Sequence, residues 1–364
     1  MTSIAKNLKR LSLLFMLLVV FSCSSEDVDI IEEEDTTDEE MTGGDGGDTD
    51  NTTDGTVNTF GKLKVNGNQI VSEKTGEVVQ LRGMSLFWSQ WEGEFYNADA
   101  IKWLVEDWNI NVVRAALGVE VAQDNGIVVG YLANNGANKE IEKAKIFAVI
   151  DAAIEEDIYV IVDWHSHKAE NELEDAIEFF EEVAQKYGDF PNIIYETYNE
   201  PIDGNWVNVL KPYHEAVIDK IREYDEDNLV VCGTRTFSQR VDEVIDNEID
   251  DDNVAYTLHY YSSSPAHQEP LRAIAQTAID ANLALFVTEF GVSEFTGDGN
   301  IDNGQADIWW DFLEENNISW CNWSIADKNE SSASLKEGVS STGGWSTNDL
   351  SESGILVRNK LLSY

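Results

Sequence analysis

The sequence predicts an α/β fold, a (β/α)8 TIM barrel whose bottom is closed by an N-terminal β-hairpin. Short apolar, β-branched runs recur along the chain, and a longer stretch with helical periodicity follows each of them. Eight such pairs fit into the roughly 300 residues that follow the first 59. This alternation is typical of βα units in a parallel sheet, and eight units are the number that closes a barrel.

Each predicted strand is a buried apolar run that ends in polar or aromatic residues. The eight strands are VVQLRGMS, NVVRAAL, YVIVDWH, NIIYETYNE, NLVVCGTR, VAYTLHYY, LALFVTEFG and SWCNWSIAD. Amphipathic stretches such as KAKIFAVIDAAIEEDI follow them, and only the fifth, near QRVDEVIDNEI, is weakly marked. Upstream, LKVNGNQIVSEKTGE predicts the closing hairpin. Cys232 and Cys321 lie in apolar runs and are predicted to be buried thiols, with a bridge between them as the alternative.

The N-terminal part predicts export. Lys6, Lys9 and Arg10 precede an apolar run of about 11 residues, too short to cross a bilayer as a helix, so residues 1–22 are predicted to be a signal peptide of the lipoprotein type. Cys23 resembles the lipid-modified cysteine of a bacterial lipoprotein; the alternative is an ordinary cleavage site. The acidic residues after it resemble the signal that sends lipoproteins of Bacteroidetes-type bacteria to the cell surface. We therefore expect an outer-membrane lipoprotein exposed at the cell surface, or else a secreted protein.

Composition then separates a linker from a folded domain. Positions 24 to 59 hold 14 acidic residues and no Lys or Arg, which predicts a disordered acidic linker over residues 23–59 and one folded domain over residues 60–364. The formal net charge of −45 repels nucleic acid, so the expected substrate is neutral or cationic. We expect a monomer that contacts a membrane only through the lipid anchor at Cys23.

Polar side chains cluster at the carboxyl ends of the predicted strands, which form the active face of a (β/α)8 barrel. They are Arg114, His165, His167, Asn199, Glu200, His259, Tyr261, Glu289 and Trp323. Two glutamates that face each other across a barrel mouth are the arrangement that glycoside hydrolysis requires. Arg114 and Tyr261 would hold one carboxylate ionised, while the like charge would raise the pKa of the other.

The segments YETYNEP and VTEFG resemble the two signature segments of glycoside hydrolase family five. LRGMS, VVRAAL, VDWH, LHYY and NWSIADKNESSASL are similar to its bacterial endoglucanase branch, subfamily two, and the likeness runs from about Lys62 to the C-terminus. It implies that Glu200 is the acid/base and Glu289 the nucleophile of a retaining endo-β-1,4-glucanase. It also implies that Arg114 and Tyr261 are bonded to the nucleophile.

The same resemblance implies a substrate-binding set for β-1,4-glucan polysaccharide or cello-oligosaccharides. Asn199 would bind the sugar 2-hydroxyl, and His165 and His259 would line the catalytic subsite. Trp323 would stack on a sugar. Lys328 and Glu330 would hydrogen-bond the next sugar toward the non-reducing end. Two alternatives stay open at this stage: another β-1,4-glycan such as mannan or xyloglucan as the main substrate, and a non-catalytic surface glycan-binding lipoprotein.

The remaining aromatic residues and histidines are less clearly marked. Trp88, Trp91 and Trp206 lie at strand ends or in loops and are predicted to be stacking subsites. His165 and His167 could instead be metal ligands, but that needs further ligands, and among the other strand ends only His259 is available. We therefore expect no metal and no cofactor. We also expect His214 and His267 to face solvent.

Overall fold

The computed structural model describes residues 55–364. Within that range, eight parallel strands close into a barrel in sequence order, and helices follow them along the chain. The strands are β1 Arg82–Leu86, β2 Val112–Gly118, β3 Tyr159–His165, β4 Ile193–Glu196, β5 Val230–Cys232, β6 Val254–Tyr261, β7 Leu285–Gly291 and β8 Ser319–Ile325. The predicted fold class and all eight predicted strands are confirmed.

Within residues 55–364, seven longer helices surround the barrel. They are α1 Ala98–Trp108, α2 Lys139–Glu155, α3 Leu173–Tyr187, α4 Lys211–Arg222, α5 Glu269–Asp280, α6 Asn303–Glu315 and α7 Glu352–Leu361. The weakly marked fifth helix is only a 3-10 turn, Val241–Val244. Among the described residues, no helix is both long and apolar enough to cross a membrane.

Side-chain alternation along the strands divides the barrel interior into two levels. At the level of the strand N-termini, Val112, Ile161, Ile194 and Phe286 belong to one apolar cluster. The hairpin Leu63–Asn66 and Gln69–Ser72 packs onto this cluster through buried Leu63 and Ile70. Because side chains two positions apart share a face of a strand, the next inward positions toward the strand C-termini are Arg114, Asp163 and Glu196. The barrel is therefore apolar at the bottom and charged toward its mouth.

Three features of the described residues refine the predictions. Just before the domain start predicted at residue 60, Thr56–Phe60 form a short helix in which Val57 is buried and its backbone N–H donates to Asp157 O at 3.2 Å. Cys232 and Cys321 are buried free thiols, as expected. A small hairpin, Ala122–Asp124 with Ile127–Val129, was not predicted. The predicted signal peptide, Cys23 and nearly all of the predicted linker lie outside the described residues.

Gly83 on β1 allows a close approach between β1 and β2. A Cβ atom at this position would lie 1.7 Å from Val112 O on the paired strand. We expect Gly83→Ala to force these strands apart and to lower the unfolding free energy by at least the ~1–3 kcal/mol that overpacking typically costs.

Gly304→Ala at the start of α6 is the matched control, because the nearest atom to its Cβ would be Asp302 Oδ1 at an ordinary 3.5 Å. Alanine is favoured over glycine in helices by about 1 kcal/mol, so this variant should be as stable as the wild type or more stable. Denaturant unfolding of both variants measures the difference. Equal stability of the two would contradict the close approach.

Candidate active site

The strand ends bring most of the predicted site residues to one mouth of the barrel. Arg114 lies on β2, His165 ends β3, Asn199 and Glu200 follow β4, and Glu289 lies on β7. His259 and Tyr261 come from β6 and Trp323 from β8. Two adjoining hollows of about 250 and 480 Å³ open here, and His167, Glu200 and Tyr261 line both of them. The mouth is thus a cleft that continues on both sides of Glu200.

Arg114 links four side chains at the floor of this cleft. Its guanidinium is fully buried, and its Nε donates to Glu196 Oε2 at 2.7 Å. Its other nitrogens lie 2.9 Å from Glu289 Oε2, 2.9 Å from Asp163 Oδ2 and 2.7 Å from Asn199 Oδ1. Burial opposes the charge, but the carboxylates of Asp163, Glu196 and Glu289 outweigh it and raise the pKa of Arg114. Arg114 therefore stays cationic and fixes four side chains at once.

Glu289 is held by two donors. Arg114 donates to its Oε2, and the Tyr261 hydroxyl donates to its Oε1 at 2.8 Å. Burial raises the pKa of Glu289, and the charge of Glu200 adds to this, while His259, Arg114 and Tyr261 oppose the rise. Both carboxylate oxygens are thus aimed and bonded in the way that a rigidly positioned anion requires.

Glu200 has different partners, two histidines. Its Oε1 lies 2.9 Å from His259 Nδ1, and its Oε2 lies 3.4 Å from His167 Nε2. Burial by itself would raise the pKa of Glu200, but the bonds to His167 and His259 outweigh burial and lower the pKa to about 2. Burial lowers the pKa of both histidines, but Glu196 and Glu200 together raise the pKa of His259 to about 9. Glu120 and Glu200 likewise raise the pKa of His167 to about 10. At neutral pH the protons of this group therefore sit on the imidazoles.

Burial keeps His165 neutral, in contrast to the other two histidines of the cleft. Burial and the charge of Arg114 lower its pKa well below the ordinary value. Its Nδ1 lies 2.6 Å from Asp163 Oδ2, so Nδ1 carries the proton, and the Asn199 amide lies 3.4 Å from its Nε2. Asn199 accepts from Arg114 through Oδ1, which fixes the amide orientation. His165 and Asn199 thus present polar groups of set orientation to the cleft.

Aromatic rings form the wall on the β1 and β8 side. Trp323 stacks parallel to His165, with ring centroids 5.2 Å apart and an interplanar angle of 3°. Trp88 meets Trp91 with centroids 5.1 Å apart, and Trp91 is 38% exposed at the rim. Lys328 Nζ lies 2.6 Å from Glu330 Oε2 beside this wall. These flat and hydrogen-bonding surfaces are the kinds that bind sugars.

Some sequence expectations do not match the structure. Trp206 lies outside the cleft: it is 2% exposed, its Nε1 donates to Asn247 O, and it packs on His214 and Tyr256, so no sugar can reach its face. The expectation that it is a stacking subsite is therefore corrected. His214 is also buried rather than solvent-facing, since its nitrogens bond Thr197 Oγ1 and Gly233 O.

His267 is likewise buried and was wrongly expected to face solvent, because its Nδ1 accepts from the backbone N–H of Tyr261. Sequence reasoning also missed four charged or titratable groups around the site: Glu120, Asp163, His167 as a partner of Glu200, and Glu196. An available signal was an acidic residue inside a run that otherwise reads as a buried strand, as in VIVDWH and IIYET.

The donor groups can be compared with the needs of a metal. One atom each from Glu200, His259 and Glu289 lie within 4.8 Å of one another, which is close enough for three ligands. His259, however, contacts Glu200 through one nitrogen and Thr288 Oγ1 through the other, and its raised pKa favours the imidazolium, which cannot ligate. His165 and His167 turn to different carboxylates, Asp163 and Glu120. The three histidines thus form hydrogen bonds to carboxylates and are not arranged as metal ligands.

Comparisons with known proteins agree with one another. The family model described as "Cellulase (glycosyl hydrolase family 5)" matches residues 72–329. The chain is 45% identical to endoglucanase Z of Dickeya dadantii over 83% of its own length and 66% of that protein's. It is 44% identical to endoglucanase A of Evansella cellulosilytica, covering 79% of this chain and 57% of that one. The chain thus spans less than two thirds of the length of these relatives.

Solved structures give the same result. A structure from Cytophaga hutchinsonii is 49% identical, with a TM-score of 0.79, and the match covers 84% of this chain and 95% of that one. The catalytic domain of a Thermobifida fusca endoglucanase, solved in complex with cellotetraose, is 32% identical, with a TM-score of 0.76 and coverage of 84% and 99%. Both fold and sequence are thus similar over nearly all of the described domain.

The ion-paired histidines of the cleft can be tested directly. In imidazole NMR titrations of the five histidines, we expect His259 and His167 to titrate at about 9 and about 10, far above the ordinary 6.5. Glu200→Gln removes one carboxylate and should lower both midpoints. His214 is an internal control, because burial lowers its pKa to about 4 and no change is expected on substitution of Glu200. Midpoints near 6.5 for His167 and His259 would refute this charge arrangement.

Proposed function

The chain belongs to glycosyl hydrolase family 5, and on this premise we propose that it is a retaining endo-β-1,4-glucanase. The observation that carries the proposal is the separation of its two cleft carboxylates. An oxygen of Glu200 and one of Glu289 lie within 4.8 Å of each other across the mouth. Retaining glycosidases place their carboxyl groups ~5–5.5 Å apart, whereas inverting ones need ~6.5–9.5 Å to fit a water molecule. The short gap supports a covalent, double-displacement route.

Glu289 is the nucleophile in this proposal. Its oxygens are fixed by Arg114 and Tyr261, and these same donors stabilise the carboxylate. In the first step, one of its oxygens attacks the anomeric carbon as the glycosidic bond breaks. Glu289 loses its negative charge as the new bond forms. Tyr261 and Arg114 are already in place around it, so these two side chains do not have to move during the step.

Glu200 is the acid and then the base. In the free protein its proton is held by the paired histidines, so the acid form arises when a proton passes from an imidazolium to the carboxylate. A bound sugar that displaces water favours this transfer, because a neutral pair is less costly than an ion pair in a dry site. Glu200 then protonates the leaving oxygen. In the second step it takes a proton from the attacking water and returns a proton to the imidazole, which restores the starting state.

The cleft supports an internal position on a long chain. On one side Trp323 and Trp88 offer faces for sugar stacking, near the Lys328–Glu330 pair. On the other side the larger hollow runs past the exposed Phe237, and the exposed Phe295 borders both hollows. A site open on both sides of the carboxylates accepts a polymer in the middle of its length, which favours endo cleavage of cellulose or related β-glucans and binding of cello-oligosaccharides.

The N-terminal segment supports an exported protein. The signal-like run and Cys23, followed by an acidic linker, favour a lipoprotein anchored in the outer membrane and exposed at the cell surface. A linker of some 36 residues would let the barrel reach roughly 30–36 Å from its anchor. We propose that the barrel acts there as a monomer on extracellular glucan. Palmitate labelling that depends on Cys23 would test the anchor.

Retention of anomeric configuration follows from the carboxylate separation. Proton NMR during hydrolysis of cello-oligosaccharides should show the β-anomer first, with the α-anomer appearing only by mutarotation. Carboxymethylcellulose, barley β-glucan, xylan and mannan assayed side by side identify the preferred backbone. An α-anomer as the first product would refute the double-displacement route. Activity on mannan alone would show that mannan, and not a β-1,4-glucan, is the substrate.

The two glutamates should respond differently to substitution. Glu289→Ala should abolish turnover on every substrate but keep folding and oligosaccharide binding, because the stacking surfaces remain. Glu200→Ala should slow hydrolysis of cellotetraose by roughly 10²–10⁴, the usual contribution of general acid catalysis. Its effect on the glycosylation step of a dinitrophenyl β-cellobioside should be far smaller, since that leaving group needs no proton. Equal losses on both substrates would argue against Glu200 as the acid.

A further inference from the structure

Both oxygens of Glu200 have histidine partners, but the two histidines differ in origin. His259 is on β6 and contacts Oε1, while His167 lies in the loop after β3 and contacts Oε2 at 3.4 Å. His259 belongs to the set that the family resemblance implies, and His167 does not. The Glu200 carboxyl group is therefore bonded from two different elements, β6 and the loop after β3. The contact with His167 is the one that has no assigned role.

His167 is itself fixed by Glu120, in the loop after β2. Glu120 Oε1 accepts from the His167 backbone N–H at 2.9 Å and lies 3.0 Å from its ring Nδ1. One oxygen that bonds both the backbone and the ring of the same residue restricts rotation of that ring. Trp88 and Phe237 flank the ring, with centroids 5.5 and 6.3 Å away. The ring orientation is thus set before any substrate binds.

The charges around His167 agree with this geometry. The hydrogen bond from His167 lowers the pKa of Glu120, so Glu120 is an anion and Nδ1 keeps its proton. Nε2 is then the nitrogen left to face Glu200. Glu120 is 33% exposed and His167 26%, so neither is needed to fill the core. An ion pair of this kind at a rim contributes little to stability, which leaves its position in the cleft to be explained.

We propose that His167, oriented by Glu120, is a positioning residue for Glu200. Together with His259 it keeps the plane of the Glu200 carboxyl group aimed at the leaving oxygen. His167 acts through Glu200 and does not itself touch the reacting atoms. The inference rests on the proposed acid role of Glu200 and deepens it, because it extends the acid machinery outward to the loops after β2 and β3.

Steady-state kinetics on two substrates test this. For His167→Gln we expect kcat on cellotetraose to fall about 10- to 100-fold, a part of the ~10²–10⁴ that general acid catalysis supplies. KM for cellotetraose should stay within about twofold of the wild-type value. For dinitrophenyl β-cellobioside, kcat/KM, which reports the glycosylation step, should stay within about threefold, since an activated leaving group does not depend on the acid. A role in folding or binding would affect both substrates alike. His167→Asn and thermal denaturation provide a second variant and a check on folding.

Glu120 is tested by a double-mutant cycle. Glu120→Gln should show a smaller loss with the same preference for cellotetraose, and it should add nothing in the His167→Gln background, because Glu120 acts through His167. Glu178→Gln is the matched control: it also removes an ion-paired carboxylate, but its side chain is 65% exposed on α3, away from the cleft. Its kinetics should equal those of the wild type.

The outcomes separate the inference from the function on which it rests. Equal losses on both substrates, or unchanged turnover of cellotetraose by His167→Gln, would overturn the inference while wild-type activity stands. Additive effects of the Glu120 and His167 substitutions would show that Glu120 does not act through His167. No wild-type activity on cellotetraose, or a Glu200→Ala loss that ignores the leaving group, would overturn the proposed function and the inference with it.

Discussion

The buried guanidinium of Arg114 is the interaction on which the rest of the site depends. A cation without water is very costly unless it is fully paired, and here the carboxyl groups of Asp163, Glu196 and Glu289 and the amide oxygen of Asn199 are its partners. The dependence is mutual, because each of those acids is buried as well. Removal of one partner from such a network typically costs ~3–5 kcal/mol, since it leaves an uncompensated charge. The positions of these side chains are therefore fixed by several contacts at once.

The barrel makes this network possible by separating two environments a few residues apart. On β2, Val112 belongs to the apolar floor and Arg114, two positions on, to the charged level. The same step separates Ile161 from Asp163 on β3 and Ile194 from Glu196 on β4. The hairpin at the bottom covers the apolar level, and the cleft opens beyond the charged one. The charged network is therefore carried by strands that are packed firmly at their N-terminal ends.

Two identical side chains, Glu200 and Glu289, have different hydrogen-bond partners. Glu289 is bonded by Arg114 and Tyr261, which favour the anion and cannot deliver a proton at ordinary pH. Glu200 is bonded by His259 and His167, which both carry protons and can exchange them. In the proposed mechanism, the donors around the two glutamates, and not their residue type, decide which one attacks and which one transfers protons.

The sequence by itself determined the fold and the two central glutamates. Eight alternating apolar runs specify a barrel because burial of each strand is a local property of its residues, and in a barrel every strand end faces the same mouth. For this reason Arg114, Glu200 and Glu289 could be placed together without coordinates. The weak marking of the fifth helix also matched its reduction to a short turn.

Only the tertiary structure decided which side chains meet. Trp206 and Trp91 are both loop tryptophans in sequence, yet one is sealed against His214 and the other is exposed at the rim. The pairing of Glu120 with His167 joins loops 47 positions apart, and that of Glu200 with His259 joins residues 59 positions apart. Such contacts depend on loop paths and rotamers, which follow from packing of the whole chain. The protonation of the site is set by these contacts, and so it could not be obtained from the sequence alone.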